Sequence, residues 1–366
     1  PENINIDLKA SSGPRLIIKE IQIIGNEITK KEVILRELRI KEGDFYNYEK
    51  TKQIQSRLMK LGFFRRVEPA QVFLAKEDKG GLLINVEEGN TSKFDGVVGY
   101  TPGTGDDKGY FTGLVDISLG NLFGTGRSLL AHWQKKDKAS QDMLFHYREP
   151  WVAGFPVHIG GGFQQLIQDS TYIQREYGFD LILPLVESFS VVADLKKASI
   201  LPDSMGSYQL GLPKSETVRA SIGIRYDSRD DLLNPERGIY YFTSVESGGK
   251  KNLGPQDIML ANNLDPKVEN KRVFIDIDFY LPTLRRQLLS LSMHGRQITS
   301  SEEFIPVPDQ YRLGGTKTLR GYREDQFRGS SVAWTNIEYR YLLGPRSRAF
   351  VFFDVGYYSA ANPQGV

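Results

Sequence analysis

The sequence has no cysteine in 366 residues, which excludes disulfides, thiolate metal sites and a thiol nucleophile. It has no excess of charge of either sign: 47 Lys and Arg stand against 45 Asp and Glu, so nothing points to nucleic acid or another polyanion. Nowhere does an apolar run approach the roughly 20 residues a spanning helix needs. That excludes helical spans but leaves one membrane class open, because barrel strands alternate apolar and polar residues and give little hydropathy signal. The first nine residues are polar and carry no secretory leader, so the sequence is expected to start inside a mature chain. Histidine is scarce, and His132, His146, His158 and His294 lack ligand spacing. No Ser/His/Asp set stands out either. The expectation is a protein without metal, cofactor or enzymatic activity.

What is abundant is glycine (36), tyrosine (18) and phenylalanine (20). Closely spaced strands bounded by aromatic girdles have such a composition. Two regions then differ in their periodicity. Residues 16–24 are apolar and β-branched and end at the turn pair Gly25-Asn26. Thr29 is placed to cap a helix through Leu38, with Val33, Ile34 and Leu38 as its stripe, and Gly43-Asp44 breaks it. Residues 48–61 form a second amphipathic helix with Ile54, Leu58 and Leu61 on one face, stopped by Gly62. Residues 67–75 and 81–87 read as a closing hairpin. The order β-α-α-β-β makes a small α+β unit.

From Phe94 onward the helical period disappears. In VFIDIDFY, residues 273–280, Val273, Ile275, Ile277 and Phe279 share one face, and Asp276 and Asp278 the other. Residues 289–296 and 335–341 alternate in the same way. One apolar face and one ionic face suit lipid outside and water inside. Thirteen strands are expected, at residues 94–100, 110–121, 127–136, 141–149, 157–167, 173–183, 189–197, 218–227, 238–247, 271–281, 288–299, 330–342 and 349–358. If the first runs outward, the inner connections are mostly short and carry Pro, Gly or Asn, as at Pro184, Pro282 and Gly344-Pro345. The outer ones are mostly longer, up to residues 300–329. A transmembrane barrel sorts its loops this way. Bacterial barrels usually close on even numbers, so further strands are expected beyond residues 360–366, which look like the start of a seventh outer loop.

Several segments carry a resemblance. Residues 314–322 (GGTKTLRGY) lie in the sixth outer loop. Leu319, Arg320, Gly321 and Tyr322 resemble the arginine–glycine–aromatic motif of the BamA-type outer-membrane assembly superfamily, with Leu and Tyr as ordinary variants. Phe352, Phe353, Asp354, Val355 and Gly356 resemble its aromatic–x–aspartate–x–glycine strand motif. Residues 336–339 (NIEY), with Glu338, resemble the strand after the loop. The order β-α-α-β-β with IQIIGNEI, LMKLGFFRRV and LLINVEEG resembles a POTRA domain. The turns NLFGTGR, YREP and YDSRDDLLNPERG resemble the family's inner turns.

The resemblance implies residues 1–13 as the end of a preceding POTRA domain, 14–90 as a membrane-proximal POTRA domain and 91–366 as a transmembrane antiparallel barrel, sixteen-stranded in full. It implies that Glu338 and Asp354 clamp Arg320 and hold the loop in the lumen. The alternation agrees, since both acids fall on ionic faces, and a guanidinium can meet two carboxylates at once. Function by resemblance is the folding and insertion of β-barrel proteins into the bacterial outer membrane through a lateral seam. The seam strand is Phe94, Asp95, Gly96, Val97, Val98, Gly99 and Tyr100, short and weakened by its glycines. Expected partners are unfolded barrel clients, accessory periplasmic or lipoprotein subunits and outer-membrane lipids. The alternative is a POTRA-barrel secretion pore, TamA-like or of the two-partner type. Other chemistry is not supported. GTGR lacks the Lys-Ser/Thr of a phosphate loop. Asp227, Asp230 and Asp231 beside Arg229 suit a solvated turn better than a metal site.

Overall fold

The computed structural model describes residues 16–74, 79–103, 108–169, 171–232, 234–302, 305–344 and 347–360. Residues 1–13, expected to end a preceding module, lie outside the described residues. The chain divides into two compact units: residues 1–90 with 123–125, and residues 91–122 with 126–366.

In the first unit β1 (Ile17–Ile24) is followed by α1 (Lys31–Leu38) and α2 (Tyr48–Lys60), then β2 (Phe64–Val67), β3 (Gln71–Leu74) and β4 (Lys79–Glu88). The buried stripe of α1 is Val33, Ile34 and Leu38, and that of α2 includes Ile54 and Leu58. Both stripes close on Ile18, Ile21, Leu82 and Ile84 of the sheet. Asn47 caps α2 by accepting from the Lys50 N–H at 3.0 Å. Two expectations need correction. The closing hairpin has a broken arm: β2 and β3 lie end to end along the same edge of β4, and β1 pairs parallel along the other. Pro69 stands at the break, where a residue without an N–H cannot continue the ladder. Nor does Thr29 cap α1, whose N-cap is Lys30 without a side-chain bond. The Thr29 N–H instead donates to Glu88, which also accepts from Glu27 and Ile28, at 2.6, 3.1 and 2.8 Å. A carboxylate at the end of β4 thus gathers the turn that starts α1.

Burial pushes the Glu88 carboxyl up, but the bonds from Thr29, Ile28 and Glu27 outweigh it and hold it below the ordinary carboxylate value. A depressed folded-state value contributes stability above the unfolded value, and that contribution is lost as pH falls through the folded one. Glu88→Gln should therefore speed amide exchange at residues 27–29 near neutral pH, and acidification should bring the native protein towards the variant. Equal exchange in both proteins at neutral pH would disprove this role.

The second unit is built on one large antiparallel sheet. Among the described residues it has thirteen strands: β5 (Ser92–Thr101), β6 (Tyr110–Leu122), β7 (Arg127–Lys135), β8 (Gln141–Glu149), β9 (His158–Gln168), β10 (Tyr172–Val186), β11 (Phe189–Pro202), β12 (Lys214–Asp227), β13 (Gly238–Gly254), β14 (Lys267–Pro282), β15 (Gln287–Ser300), β18 (Ser331–Gly344) and β19 (Ser347–Ser359). Each pairs with its sequence neighbours in that order, and β5 and β19 end the path. Between β15 and β18 the loop carries a two-stranded hairpin, β16 (Tyr311–Leu313) with β17 (Phe327–Gly329).

All thirteen strands lie where alternation places them, but four run further on the outer side. β11 and β13 end at Pro202 and Gly254, and β12 and β14 begin at Lys214 and Lys267. Alternation there no longer serves lipid, so the apolar signal fades while the hydrogen-bond ladder continues. These extensions shorten the outer connections to residues 203–213 and 255–266, while the inner connection 228–237 is of similar length. The expected sorting of loop lengths therefore holds only in part.

Burial settles the nature of the sheet. On β14, Val273 and Ile275 are 38 % and 41 % exposed, whereas the Asp276 and Asp278 side chains are 15 % and 16 % exposed. Among the buried residues of the sheet are Lys250, Arg219, Glu246 and Arg340. A water-soluble domain buries the opposite set. Apolar groups outward and ions inward fit a wall with hydrocarbon outside and a polar lumen.

Candidate functional site

The inner face of the sheet carries ions that a membrane wall tolerates only in pairs. Three of the four histidines meet aspartates across neighbouring strands or one strand away: His132 with Asp116 at 2.5 Å, His146 with Asp180 at 2.6 Å and His294 with Asp276 at 2.6 Å. Asp227 accepts from Arg229 at 2.9 and 2.7 Å, and Asp230 and Asp231 accept backbone N–H groups within the turn after β12. These carboxylates stabilise the turn itself.

The loop after β15 reaches across this face. Arg312 at its base donates to the Tyr172 hydroxyl on β10 at 3.3 Å, and Arg320 at its far end reaches β19. One loop touching such distant strands means that the inner face is concave.

The structure brings Arg320, Glu338 and Asp354 together. Arg320 Nε and Nη2 donate to the two Asp354 oxygens at 2.8 and 2.6 Å. Nη1 donates to Glu338 at 2.5 Å, and the Arg320 backbone N–H donates to Asp354 at 3.0 Å. The bidentate fork is the geometry in which arginine binds a carboxylate best. Asn336 and Asp354 face each other in register on β18 and β19, and the Asn336 amide donates to the Thr318 carbonyl at 2.7 Å. Glu338 is held in turn by Arg340 at 2.7 Å. Phe352, two residues before Asp354 on the same face, lies under the guanidinium with its ring centre 3.9 Å away. Hydrogen bonds from Arg320 to Asp354 and Glu338 raise the arginine above its ordinary value, so it is charged at any physiological pH.

The two remaining motif glycines answer different needs. Gly321 has φ +91°, which side-chain-bearing residues rarely adopt, with open space around it. Gly356 is required by contact: a Cβ there would lie 2.2 Å from Leu319 Cδ1 and 3.0 Å from its Cγ. Leu319 is thus seated, 5 % exposed, in a notch that glycine leaves in the wall. Tyr322 does not join the clamp. Its ring packs edge-on against Phe327 at 5.1 Å, and Phe327 packs on Tyr358 of β19 at 5.1 Å.

The strand read as a seam, Phe94 to Tyr100, lies within β5 and pairs only with β6 among the described residues. Phe94, Val97 and Val98 are 72 %, 66 % and 75 % exposed. A second ion cluster on the same loop, around Asp309 and Lys250, was not found by reading the sequence. Lys250 falls in a stretch read as loop, and no motif marks it.

Fold and clamp together define the protein as an outer-membrane β-barrel that follows a POTRA-type module and holds an arginine-bearing loop against its lumen wall. The chain belongs to the Omp85 superfamily: the Omp85 superfamily domain matches residues 121–364, and the POTRA model, described as a surface antigen variable number repeat, matches residues 16–89. It is an outer-membrane protein with its POTRA domain in the periplasm. The outer membrane protein assembly factor BamA of Nitratidesulfovibrio vulgaris is 26 % identical over 93 % of this chain and 44 % of its own length. BamA of Neisseria meningitidis serogroup B is 29 % identical over 43 % of this chain and 19 % of its own length. The chain therefore spans less than half the length of these curated relatives. Among solved structures, BamA from Haemophilus ducreyi lacking POTRA domains 1–3 covers 94 % of this chain and 72 % of that one, with TM-score 0.52 and 20 % identity. CdiB from Acinetobacter baumannii covers 95 % and 65 %, with TM-score 0.57 and 16 % identity. At these identities the two structures share the fold.

Removing one partner of a poorly solvated ion pair costs about 3–5 kcal/mol. Arg320→Ala should therefore raise amide exchange across residues 314–326, and Arg320→Lys should recover only part of the protection because an ammonium lacks the fork. Gly356→Val should free the same segment while leaving all three charges in place. Native-like exchange in Arg320→Ala would refute the clamp.

Proposed function

We propose that this protein folds and inserts β-barrel proteins into the outer membrane, with its POTRA domain receiving the clients. The observation that carries this reading is β5, which ends the path of the sheet and pairs, among the described residues, only with β6. Such an edge is a template for an incoming strand. Backbone groups entering hydrocarbon must be paired as they enter, so a strand that adds to an existing edge avoids the cost of bare amides. Gly96 and Gly99 weaken the strand's own hold on its neighbours. The clamped loop keeps the concave face ordered while the edge is engaged. The names of the aligned sequence relatives, outer membrane protein assembly factors, support the same reading.

Clients are unfolded β-barrel chains, recognised by their alternating strands. In the first unit β4 is central and β1 and the β2–β3 arm lie at the sheet's edges, where extended client segments or accessory periplasmic subunits add as strands. Outer-membrane lipids solvate the exposed apolar side chains. No covalent chemistry takes part and no cofactor is needed.

The test is reconstitution of the full-length protein in liposomes with a urea-unfolded barrel client. Insertion is read as protease-resistant, heat-modifiable client, and the expected result is insertion well above protein-free liposomes. No insertion of any barrel client, together with passage of an extended secreted polypeptide, would replace this reading with that of a secretion pore.

A further inference from the structure

The Arg320 clamp does not account for a second set of ions on the same loop. Asp309, just before β16, accepts from Lys250 Nζ of β13 at 2.9 Å and from Arg272 Nη2 of β14 at 3.2 Å. Glu302, near the start of the loop, lies 3.8 Å from the Lys250 ammonium and accepts from the Asn252 amide at 2.7 Å. Lys250 is 2 % exposed, and the Glu302 and Asp309 side chains are nearly as buried.

The wall at this place is not neutral without the loop. Arg219, Arg272, Lys250 and Lys196 present four cations; Glu176, Glu246 and Asp194 present three carboxylates, Glu246 lying 3.4 Å from Arg219 and 3.7 Å from Arg272, Glu176 bonded to Arg219, and Lys196 lying 4.0 Å from Glu176 and 3.5 Å from Asp194. The cation left over is Lys250, the most deeply buried of them, and the loop carboxylates meet it. A buried ammonium without a partner is not tolerated as a charge. The attachment is therefore mutual: the loop needs the wall, and this part of the wall needs the loop.

This root and the Arg320 tip are separate. The root binds β13 and β14; the tip binds β18 and β19, and the two partner sets share no residue. Between them stands the β16–β17 stem, braced by Arg312 with Asp325 at 2.9 Å and seated on the wall by Tyr311 edge-on to Phe274 at 5.9 Å, by Phe327 on Tyr358 at 5.1 Å and by Arg312 donating to the Tyr172 hydroxyl at 3.3 Å; none of these contacts uses a root or tip charge. Groups without shared partners act additively rather than as one unit.

We propose that the loop is anchored at two independent points, and that Asp309, held by Lys250 and Arg272, keeps its root against the wall when the Arg320 tip lets go. The tip then swings about a fixed stem instead of leaving the lumen. Lys250, Arg272 and Asp309 are positioning residues: they touch no client and set where the tip can move. This inference rests on the loop's geometry and not on the assembly reading, and its readout needs no insertion activity.

Single cysteines test it, because this sequence contains none of its own. Ile305→Cys reports the root and Thr318→Cys the tip, in the full-length protein in liposomes, by rate of reaction with a membrane-impermeant maleimide. Heat-modifiable migration checks that each barrel is folded. In the Arg320→Ala background the tip cysteine should react about tenfold faster while the root stays protected. In the Asp309→Asn background the root should react faster. Should Asp309→Asn not fold, Asp309→Asn with Lys250→Met removes both charges at similar volume, and the same root exposure is expected. Equal release of root and tip by Arg320→Ala would overturn two-point anchoring. So would native-like protection of the root once the charges at positions 309 and 250 are gone.

Discussion

A charge on the inner face of a lipid-facing wall has to meet an opposite charge, and the rest of this structure follows from that requirement. The outward face is largely apolar because it meets hydrocarbon, and the buried ionisable side chains of the strands lie on one concave surface. There the ions pair across neighbouring strands: His294 with Asp276, Arg219 with Glu246, Arg272 with Glu246. Strand-to-strand pairing leaves some groups over, notably Asp354 and Lys250. Both are completed by the loop between β15 and β18, through Arg320 and Asp309. The loop is thus part of the wall's electrostatic balance.

The same requirement bears on function. An arginine saturated by two carboxylates, with a ring beneath it, has no proton to give and none to take, so it holds position and does no chemistry. β5 presents exposed side chains and pairs, among the described residues, only with β6, and its glycines weaken that pairing. The proposed strand-templating role would draw on this division between an ion-paired inner face and a weakly held strand.

Much of this was legible because membrane strands repeat with period two over about ten residues, longer than chance alternation lasts. The same alternation placed Glu338 and Asp354 on inward faces, and the motif around Arg320 placed the guanidinium in the loop opposite them. Where the repeat loses its physical cause the reading stopped short: β13 continues to Gly254 through Lys250 and Asn252, in water or protein rather than lipid, and no apolar face marks it. In the first unit the helical stripes were readable because Ile34, Leu38, Ile54 and Leu58 recur at helical spacing. The broken β2–β3 arm and the bond from the Thr29 N–H to Glu88 were not, since both depend on which strand becomes central.

By itself the sequence determined the two modules, the strand positions, the outward and inward faces and the residues of the tip clamp. Each of these is encoded locally, as a period or a short motif. Only the tertiary structure decided that Gly356 exists to seat Leu319, that Tyr322 packs on Phe327 rather than on the arginine, and that Lys250 needs Asp309. Those pairings join residues 37, 5 and 59 positions apart, across a curved sheet or within a folded loop. No period links such positions, and curvature and loop path, which the local pattern does not carry, choose the partners.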